Sequence, residues 1–514
     1  MPLDNNYDDT LYFANKGAQY SWFSSSNNAY LKYTFDTQTY QRVNSGVFRC
    51  SQPADDLYDC NYMIFKNTSY GSKWFFAFIT SVEYDNNQMS LVYYEIDYIQ
   101  TYLYDGAVLE DCMIEREHTA TDVIGEHILP EPVECGDYYF ADYGSILDTN
   151  DHLMDIAYIA VVVCEATSTA SPIPSGIYDN IFCGGDVRIF NTSANSEIAD
   201  FLKDYVTSPQ SIVSLYMIPR ICLGPNVTVP NSGLSLSSGD VGASVGVDFA
   251  KPAANWSFQG SYVPKNKKLY TYPYCFFQIN TPDGNARQFK YEFFSGQYAQ
   301  FTVSSCIMSP VQVKLEPIYY KGSGTELNHH YTNESLVITG YPMCGWSYDS
   351  YTAWQAMNTV PMLVNAGMSM AGGAASGGVG GVATAGVRAA ADAFTQTYQA
   401  KQLEGIPQGS FASGNVDFAK QRMQFYGGRC MITAEYAKAI DGFFSAYGYK
   451  VNRLGTPALN NRPHWTYVKT IGCKVRGTCP GDAIQKICQV FDKGITFWVT
   501  ASEVGNYSLN NAPV

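Results

Sequence analysis

Hydrophobic and polar residues alternate along the N-terminal third of the chain, which is the pattern of β-strands with one buried face. Residues 73–84 are rich in aromatic and β-branched side chains, and the Asp-Asn-Asn at residues 85–87 is a turn signal. In residues 89–99, apolar side chains then alternate with Glu95 and Asp97. These segments predict a β-hairpin whose second strand is half-buried.

Other segments follow a strand or a helix period. Residues 155–166 form a continuous apolar run with three adjacent valines, which predicts a fully buried strand. Residues 479–498 repeat apolar side chains at helical spacing between Pro480 and Gly494, which predicts a helix followed by a strand at residues 495–500. Further strands are predicted at residues 268–279, 291–308 and 312–320, and further helices at residues 196–205, 387–402 and 432–450.

Composition and charge narrow the possible functions. Charged residues make up only 15% of the chain, against a usual share of about 25%, and the formal net charge is −15. This balance disfavours tight nucleic-acid binding, which needs clustered Lys and Arg to replace the counterions of the phosphates. The 41 tyrosines favour a protein that buries much of its surface against partner subunits.

The 14 cysteines show no metal-binding spacing. The sequence contains no CxxC pair, and Cys473, Cys479 and Cys488 fit no known metal pattern. The first residues have neither the basic nor the apolar region of a signal peptide. We therefore expect reduced, structural cysteines in a protein that is made in the cytosol.

No metalloprotease, serine-hydrolase or P-loop motif occurs, and three weaker candidates have simpler structural explanations. Residues 115–118 (EREH) could hold a general acid and base, but we expect a solvated strand end with alternating charges. The three aspartates of residues 55–59 lack the glycine and closing Glu of a calcium loop, so we expect an exposed acidic turn. Glu95 and Asp97 could line a glycosidase cleft, yet a solvent-facing strand explains them equally well. The sequence predicts no enzyme, no cofactor and no metal site.

Residues 351–387 contain no Asp, Glu, Lys or Arg, and three interpretations of this stretch are open. It could be a flexible linker, a Gly/Ala-rich loop packed inside an oligomer, or an element that inserts into a membrane. Its Ala, Val and Met are unusual for a linker. Its few Leu, Ile, Phe and Val contribute roughly −0.3 to −0.6 kcal/mol each, so one copy would insert poorly. Glycines four apart, such as Gly373 and Gly377, allow close helix packing in lipid and favour insertion by several chains together.

Four blocks of the sequence resemble the tail knob proteins of small short-tailed phages of the phi29-like group. The blocks are residues 61–105, YPYC at 272–275, YGYKVNR at 447–453 and FDKGITFWVTASEVGNYSLNN at 491–511. The resemblance implies a mainly β fold with minor α, built of tandem tail-tube-like β-barrel domains that assemble into a hexameric tube. It also implies a structural virion protein at the tail tip, which forms the distal DNA-ejection conduit and is not an enzyme.

The uncharged stretch lies where that family carries its long hydrophobic loops. By resemblance, residues 358–408 would form a loop that plugs the tube, leaves the lumen on DNA ejection and inserts into the host membrane as a pore. The expected partners are further copies of the chain, other tail proteins, host cytoplasmic membrane lipids, and phage DNA that passes without specific binding. The predicted plug and membrane-inserting residues are Val360, Met362, Leu363, Val364, Met368, Met370, Gly372, Gly373, Gly377, Gly378, Val379, Gly381, Val382 and Val387.

The combined pattern divides the chain into five consecutive segments. They are a tube-forming β domain at 1–155, a middle region at 156–267, a second β domain at 268–350, the hydrophobic loop at 351–410 and an α/β segment at 411–514. A host-surface-binding or glycan-degrading virion protein is the alternative function.

Overall fold

The protein is mainly β with few helices, as the sequence predicts. The computed structural model describes residues 11–13, 31–35, 46–67, 71, 73–103, 106–147, 154, 157–163, 177–178, 181–182, 185–193, 195–204, 212–242, 244–322, 334–346, 409–412, 423–500 and 503–513. The predicted helix at 387–402 lies outside these residues.

The strands are, in chain order, β1 (Leu11–Phe13), β2 (Val47–Cys50), β3 (Tyr62–Asn67), β4 (Lys73–Asn86), β5 (Met89–Ile96), β6 (Ala107–Leu109), β7 (Cys112–Glu117), β8 (Tyr138–Ser145), β9 (Ala157–Val163), β10 (Ile177–Tyr178), β11 (Ile181–Phe182), β12 (Asp186–Asn191), β13 (Ile212–Pro219), β14 (Leu234–Ser235), β15 (Val245–Ala250), β16 (Cys275–Asn280), β17 (Ala286–Phe289), β18 (Tyr298–Cys306), β19 (Gln312–Ile318), β20 (Leu336–Ile338), β21 (Met343–Trp346), β22 (Gly409–Ala412), β23 (Tyr426–Ile432), β24 (Tyr449–Gly455), β25 (Trp465–Ile471), β26 (Val475–Gly477) and β27 (Ile495–Trp498).

The α-helices are α1 (Asn195–Lys203), α2 (Ala434–Tyr447) and α3 (Gly481–Lys493). Short 3-10 turns occur at Ala54–Asp56, Arg220–Cys222, Gln259–Ser261, Lys267–Tyr270 and Tyr291–Phe293, and Ile99–Leu103 forms a π-helical turn.

The chain forms two compact units, each assembled from separate stretches of sequence. Unit 1 comprises Met1–Tyr138, Ala253–Tyr274 and Ile432–Val514, and unit 2 comprises Tyr139–Pro252 and Cys275–Met431. The predicted division into five consecutive segments, the closure of the sheets into barrels and the assembly into a hexamer stay predictions.

Unit 1 is built on a five-stranded sheet in the order β1-β27-β25-β7-β24, with a four-stranded sheet β2-β5-β4-β3 and a strand pair β26-β6. Ile114, Val468 and Phe497 of the five-stranded sheet pack in one core cluster with Ile487 and Phe491 of α3. The helix thus covers an apolar sheet face that would otherwise be exposed to water.

Helix α3 confirms the prediction from its apolar spacing. Its buried residues include Ile487 and Phe491, which lie one turn apart on the face toward the core. Pro480 precedes its first residue, and Gly494 ends it with a φ of 104°. A Cβ at Gly494 would lie 2.1 Å from the Tyr467 hydroxyl, so both the left-handed backbone and the close approach require glycine.

The predicted N-terminal hairpin is confirmed as β4 and β5, which pair antiparallel from Ala77 with Ile96 to Asn86 with Met89. The turn lies at residues 87–88, slightly later than the predicted 85–87, because Asp85 and Asn86 still belong to β4. Its base contributes Phe76 to a cluster with the buried Trp465 and Trp498.

Unit 2 contains a six-stranded sheet in the order β14-β12-β9-β13-β21-β22. The predicted buried strand is β9, which lies in the interior of this sheet between β12 and β13. Ile159 and Val161 of β9 pack with Ile198 and Leu202 of α1 in one core cluster. The run of valines is buried because strands cover both edges of β9 and the helix covers one face.

Two further four-stranded sheets of unit 2 run in the orders β15-β18-β19-β20 and β17-β16-β23-β8. Their core is aromatic: the Phe301 ring lies 4.9 Å from the Phe289 ring and 5.5 Å from the Phe294 ring, and the Phe294 ring lies 4.7 Å from the Tyr320 ring. Edge-on and tilted aromatic contacts at this spacing stabilise a core by more than the burial of their apolar area alone.

Two predicted strands begin later than their aromatic composition suggested. Lys267–Tyr270 and Tyr291–Phe293 form 3-10 turns, and the strands start only at Cys275 and Tyr298. In the first turn, the Thr271 hydroxyl donates to the Lys268 carbonyl oxygen at 2.7 Å, which closes the backbone locally. The local hydrogen bonds outweigh the β-propensity of the flanking tyrosines.

Candidate functional site

The predicted plug and membrane-inserting residues, Val360 to Val387, all lie outside the described residues. The interpretation of this stretch therefore stays a prediction. Among the helices that the structure describes, none is both long enough and apolar enough to cross a membrane.

The acid–base candidate EREH lies at the end of β7, and the expectation of a solvated strand end is wrong. Arg116, Glu117 and His118 are all buried. The reason is that β7 lies inside its sheet, with β24 on one side and β25 on the other. Only Glu115 faces outward, where it pairs with Lys469 at 2.9 Å.

Glu131 lies at the centre of a buried ionic network that also contains Arg116 and Lys268. Its carboxylate accepts hydrogen bonds from the Arg116 guanidinium, from the Lys268 ammonium and, at 2.9 Å, from the Lys450 backbone N–H. Burial lowers the pKa of Lys268, and the adjacent Glu131 opposes that shift. One carboxylate thereby binds three segments that are distant in sequence, those of Arg116, Lys268 and Lys450.

Gly448 allows this network to form. Arg116 donates a second hydrogen bond to the Gly448 carbonyl oxygen at 2.7 Å. Gly448 has a φ of 64°, and a Cβ at this position would lie 2.2 Å from the Glu117 carbonyl oxygen. A glycine at the end of α2 therefore lets the backbone of β24 approach β7 closely.

His118 is a buried, neutral histidine. Its Nδ1 accepts from the Tyr467 backbone N–H at 2.7 Å, and its Nε2 donates to the Ser445 carbonyl oxygen at 3.2 Å. Burial lowers its pKa to about 3, and the neighbouring positive charge of Arg462 contributes to the same direction. With both ring nitrogens bonded, His118 holds β7, β25 and α2 together and has no nitrogen left for a substrate.

A second buried carboxylate, Asp441 on α2, secures the segment that precedes the Lys267–Tyr270 turn. It accepts from the Tyr262 hydroxyl at 2.5 Å and from the backbone N–H groups of Lys265 and Asn266 at 2.9 Å each. Burial raises the pKa of Tyr262, and the bond to Asp441 adds to the rise. Tyr262 therefore stays a neutral donor at all physiological pH values.

The arrangement is that of a structural clamp. The carboxylates of Glu131 and Asp441 each accept several hydrogen bonds, and Glu117 is paired with Arg453 at 3.0 Å. A general base needs a lone pair that a substrate proton can reach. The carboxylate oxygens of Glu131, Asp441 and Glu117 instead accept hydrogen bonds from donors within the protein. The network connects β7, β24, α2 and the 253–274 stretch of unit 1.

The glycosidase candidate separates into two unrelated carboxylates, so the expectation that both face solvent is wrong for one of them. Asp97 is buried. Its carboxylate accepts a hydrogen bond from the Tyr62 hydroxyl at 2.8 Å and another from the Gln100 backbone N–H at 3.2 Å. Glu95 is exposed, 3.4 Å from the Lys486 ammonium. Strand β5 ends at Ile96, so the strand alternation that predicted Asp97 on the same face as Glu95 does not extend to Asp97.

The acidic turn at residues 55–59 is confirmed. Asp55 and Asp59 are exposed, and Asp59 pairs with Lys32 at 2.6 Å. In the part of the chain that the structure describes, no group of three His, Cys, Asp or Glu could hold a metal ion. Eleven described cysteines are free thiols. Burial raises the pKa of both Cys50 and Cys430 to about 11, which keeps these thiols protonated.

Glu131 and Asp441 were not singled out by the sequence. Asp441 did carry a signal, because it lies next to Ile440 within the apolar face of a predicted helix, where a carboxylate is expected to have buried partners. Glu131 lies in a polar segment, PEPVE, that resembles any exposed loop. Only its spatial neighbours reveal its role.

The comparisons with known proteins agree on one family. The family model of the C-terminal domain of tail knob protein gp9 of Bacillus phage phi29 matches residues 247–512. The model of the N-terminus of caudoviral major tail proteins matches residues 1–107. The first match covers the ionic-network residues of α2, β24 and the 253–274 stretch.

Relatives match over nearly the full chain. The tail knob protein gp9 of Bacillus phage B103 is 27% identical, and that of Bacillus phage phi29 is 25% identical; each match covers 99% of this chain and 97% of the relative. The solved structure of the tail knob protein gp12 of bacteriophage C1 has a TM-score of 0.62 at 14% identity, covering 99% of this chain and 97% of that one. The chain therefore belongs to the family of phi29-like phage tail knob proteins, with a structural role in the tail.

Proposed function

We propose that this tail knob protein forms the distal tube of a short phage tail, through which DNA is ejected, and that it does so as a homo-oligomer, with six subunits expected. The observation that carries the proposal is the similarity to tail knob proteins over 99% of the chain. The net charge of −15 supports a conduit, since a negatively charged wall repels phosphates and lets DNA pass without specific binding. Other proteins of the tail are the remaining partners.

The uncharged stretch supplies a second part of the proposal. Residues 360–387 plug the tube before infection, leave the lumen on DNA ejection, and insert into the host cytoplasmic membrane as a pore. The absence of charge across residues 351–387 supports insertion, because each charged side chain at the membrane centre would cost about 2.5–3.5 kcal/mol. The pore depends on the proposed oligomer, because one copy of the stretch is too weakly apolar to insert alone.

Dye leakage from lipid vesicles tests the pore. We expect the full-length protein to release a dye trapped in vesicles of mixed zwitterionic and anionic lipid, and the Val379→Asp/Val382→Asp variant to lose most of this release. Two carboxylates at the membrane centre add about 5–7 kcal/mol per chain to the cost of insertion.

The matched control is Thr395→Asp/Thr397→Asp, which adds the same charge beyond the apolar part of the loop and should leak like the wild type. Leakage at the wild-type level from both double variants would rule out the pore and leave the tube as a separate proposal.

The alternative, a glycan-degrading virion protein, needs two carboxylates about 5–9.5 Å apart in a groove. The pair singled out by the sequence does not provide them, because Asp97 is buried against Tyr62 while Glu95 is exposed. Release of sugar from purified host cell wall by the full-length protein would revive this alternative.

A further inference from the structure

Three cysteines of unit 1 lie together beside the five-stranded sheet. Cys112 begins β7, Cys473 follows the end of β25, and Cys488 lies in α3. The Cys473 thiol interacts with the thiols of both Cys112 and Cys488. Cys473 and Cys488 also belong to the apolar cluster through which α3 packs on the sheet. The fold therefore brings together thiols that show no motif in the sequence.

Hydrogen bonds to the backbone fix the position of Cys473 relative to α3. The Asp492 carboxylate accepts from the Cys473 backbone N–H at 3.0 Å and from the Thr470 hydroxyl at 2.7 Å. Cys488 lies about one turn before Asp492 and hence on the same face of the helix. Its sulfur is also hydrogen-bonded to the backbone of Val475, two residues beyond Cys473. The Cys488 side chain is thus directed at the turn that contains Cys473, which is the arrangement that a disulfide needs.

The three thiols differ in their access to solvent. Cys488 is half-buried, whereas Cys473 is 8% exposed and Cys112 is 4% exposed. A dissolved reagent therefore reaches Cys488 first, and Cys473 is the thiol in contact with it. Burial raises the pKa of Cys473 and of Cys488, so both stay protonated at neutral pH and react slowly.

We propose that Cys473 and Cys488 form a disulfide when the folded protein meets a low-molecular-weight disulfide such as oxidised glutathione. The Cys488 sulfur attacks one sulfur of the reagent, whose S–S bond breaks, and the first glutathione leaves with the Cys488 proton. The Cys473 sulfur then attacks the Cys488 sulfur, and the second glutathione leaves with the Cys473 proton. The two protein thiols lose two electrons, and the reagent is reduced to two thiols.

The bond joins α3 covalently to the turn between β25 and β26. It closes a loop of roughly 15 residues, which restricts the unfolded chain and stabilises unit 1. A reducing medium keeps the two thiols apart and an oxidising medium joins them, so the stability of unit 1 follows the redox state of its surroundings. The inference is independent of the proposed tube and pore.

Peptide mass spectrometry of the full-length protein tests the bond. The folded protein is incubated with oxidised glutathione, the remaining thiols are blocked with N-ethylmaleimide, and the product is digested with trypsin. Trypsin releases each cysteine in its own short peptide, Cys473 in residues 470–474 and Cys488 in residues 487–493. We expect these two peptides as one linked product that dithiothreitol separates, and as two blocked peptides from protein kept in dithiothreitol throughout.

Single substitutions separate this pair from the neighbouring thiols. Cys488→Ser should lose the linked product, and Cys473→Ala should stop at glutathione bound to Cys488. Cys112→Ala and Cys479→Ser are the matched controls and should keep the link between Cys473 and Cys488. A wild type that links Cys473 to Cys112, links Cys488 to Cys479, or carries glutathione on Cys488 without a link would overturn the proposal.

Thermal unfolding measures what the bond does. The linked wild type should unfold about 5–10 °C above the reduced wild type, because the closed loop lowers the entropy of the unfolded chain. Cys488→Ser is the control and should unfold at the same midpoint with and without oxidised glutathione. Equal midpoints for the linked and the reduced wild type would contradict the dependence of stability on redox state.

Discussion

At the scale of single residues, unit 1 is held by carboxylates that each bind several donors. Glu131 shows this best, because its side chain is fully buried between the Arg116 guanidinium and the Lys268 ammonium. Removing one partner of such a group leaves the others charged and without compensation, which costs far more than the loss of a surface pair. Buried positions of this kind therefore dominate the effect of substitutions.

Glu131→Gln should lower the free energy of unfolding by about 3–5 kcal/mol, because Arg116 and Lys268 lose their counter-charge in the interior. Urea unfolding followed by tryptophan fluorescence measures the change. Glu110→Gln, which removes a pair with the exposed Arg476, serves as the control and should change stability by less than about 1 kcal/mol. Equal effects of the two substitutions would contradict the clamp.

His118 predicts a pH dependence. The folded protein holds its pKa at about 3 against an ordinary value of 6.5, so the unfolded chain binds a proton that the folded chain does not. Stability is therefore complete above pH 6.5 and falls as the pH drops toward 3. Between pH 6.5 and 5, the wild type should lose about 1.5 kcal/mol more than His118→Gln in urea unfolding. Parallel curves for the two proteins would exclude this role.

At the scale of elements, the C-terminal residues 503–513 are fastened to β25 through Asn511. Its side-chain oxygen accepts from the backbone N–H groups of His464 at 3.2 Å and Trp465 at 3.3 Å, and its amide donates to the Trp465 carbonyl oxygen at 2.8 Å. The Tyr507 ring packs edge-on against Trp465, 5.2 Å away. Strand β7 pairs with β25 only from Val468 onward, so the Asn511 side chain takes the place of a neighbouring strand at Trp465.

Asn511→Ala should release this segment and cost about 1–3 kcal/mol, because three backbone groups lose their partner. Hydrogen exchange should rise in residues 503–513 and change little in α3, which packs through its own apolar face. Asn87→Ala at the exposed tip of the β4–β5 hairpin is the control, with unchanged exchange in both segments. Unaltered exchange in the Asn511 variant would contradict the role of the Asn511 side chain in holding the segment.

At the scale of the whole molecule, the proposed tube predicts a ring. Negative-stain images of the purified full-length protein should show rings or short tubes with a central opening and six subunits. The variant that lacks residues 360–387 should form the same ring with an emptier lumen, because the tube and the plug are separate parts of the proposal. Particles without a central opening would contradict the conduit.

The sequence alone predicted those elements whose pattern is local. The period of α3, the alternation in the β4–β5 hairpin and the valine run of β9 were confirmed, since each depends on burying one face or a whole strand. The order of the short blocks also identified the family. The predicted loop residues from Val360 to Val387 remain a prediction, because they lie outside the described residues.

Only the tertiary structure decided which charged residues are buried. Residues 116–118 resemble a solvated strand end in sequence, yet β24 and β25 enclose them, and Glu131 and Asp441 provide partners from far along the chain. A charge is stable in the interior only when its counter-charge and donors converge in space, and one-dimensional periodicity carries no information on that convergence. The sequence therefore determined the strands and helices that have a local apolar period, and long-range contacts determined the ionic network.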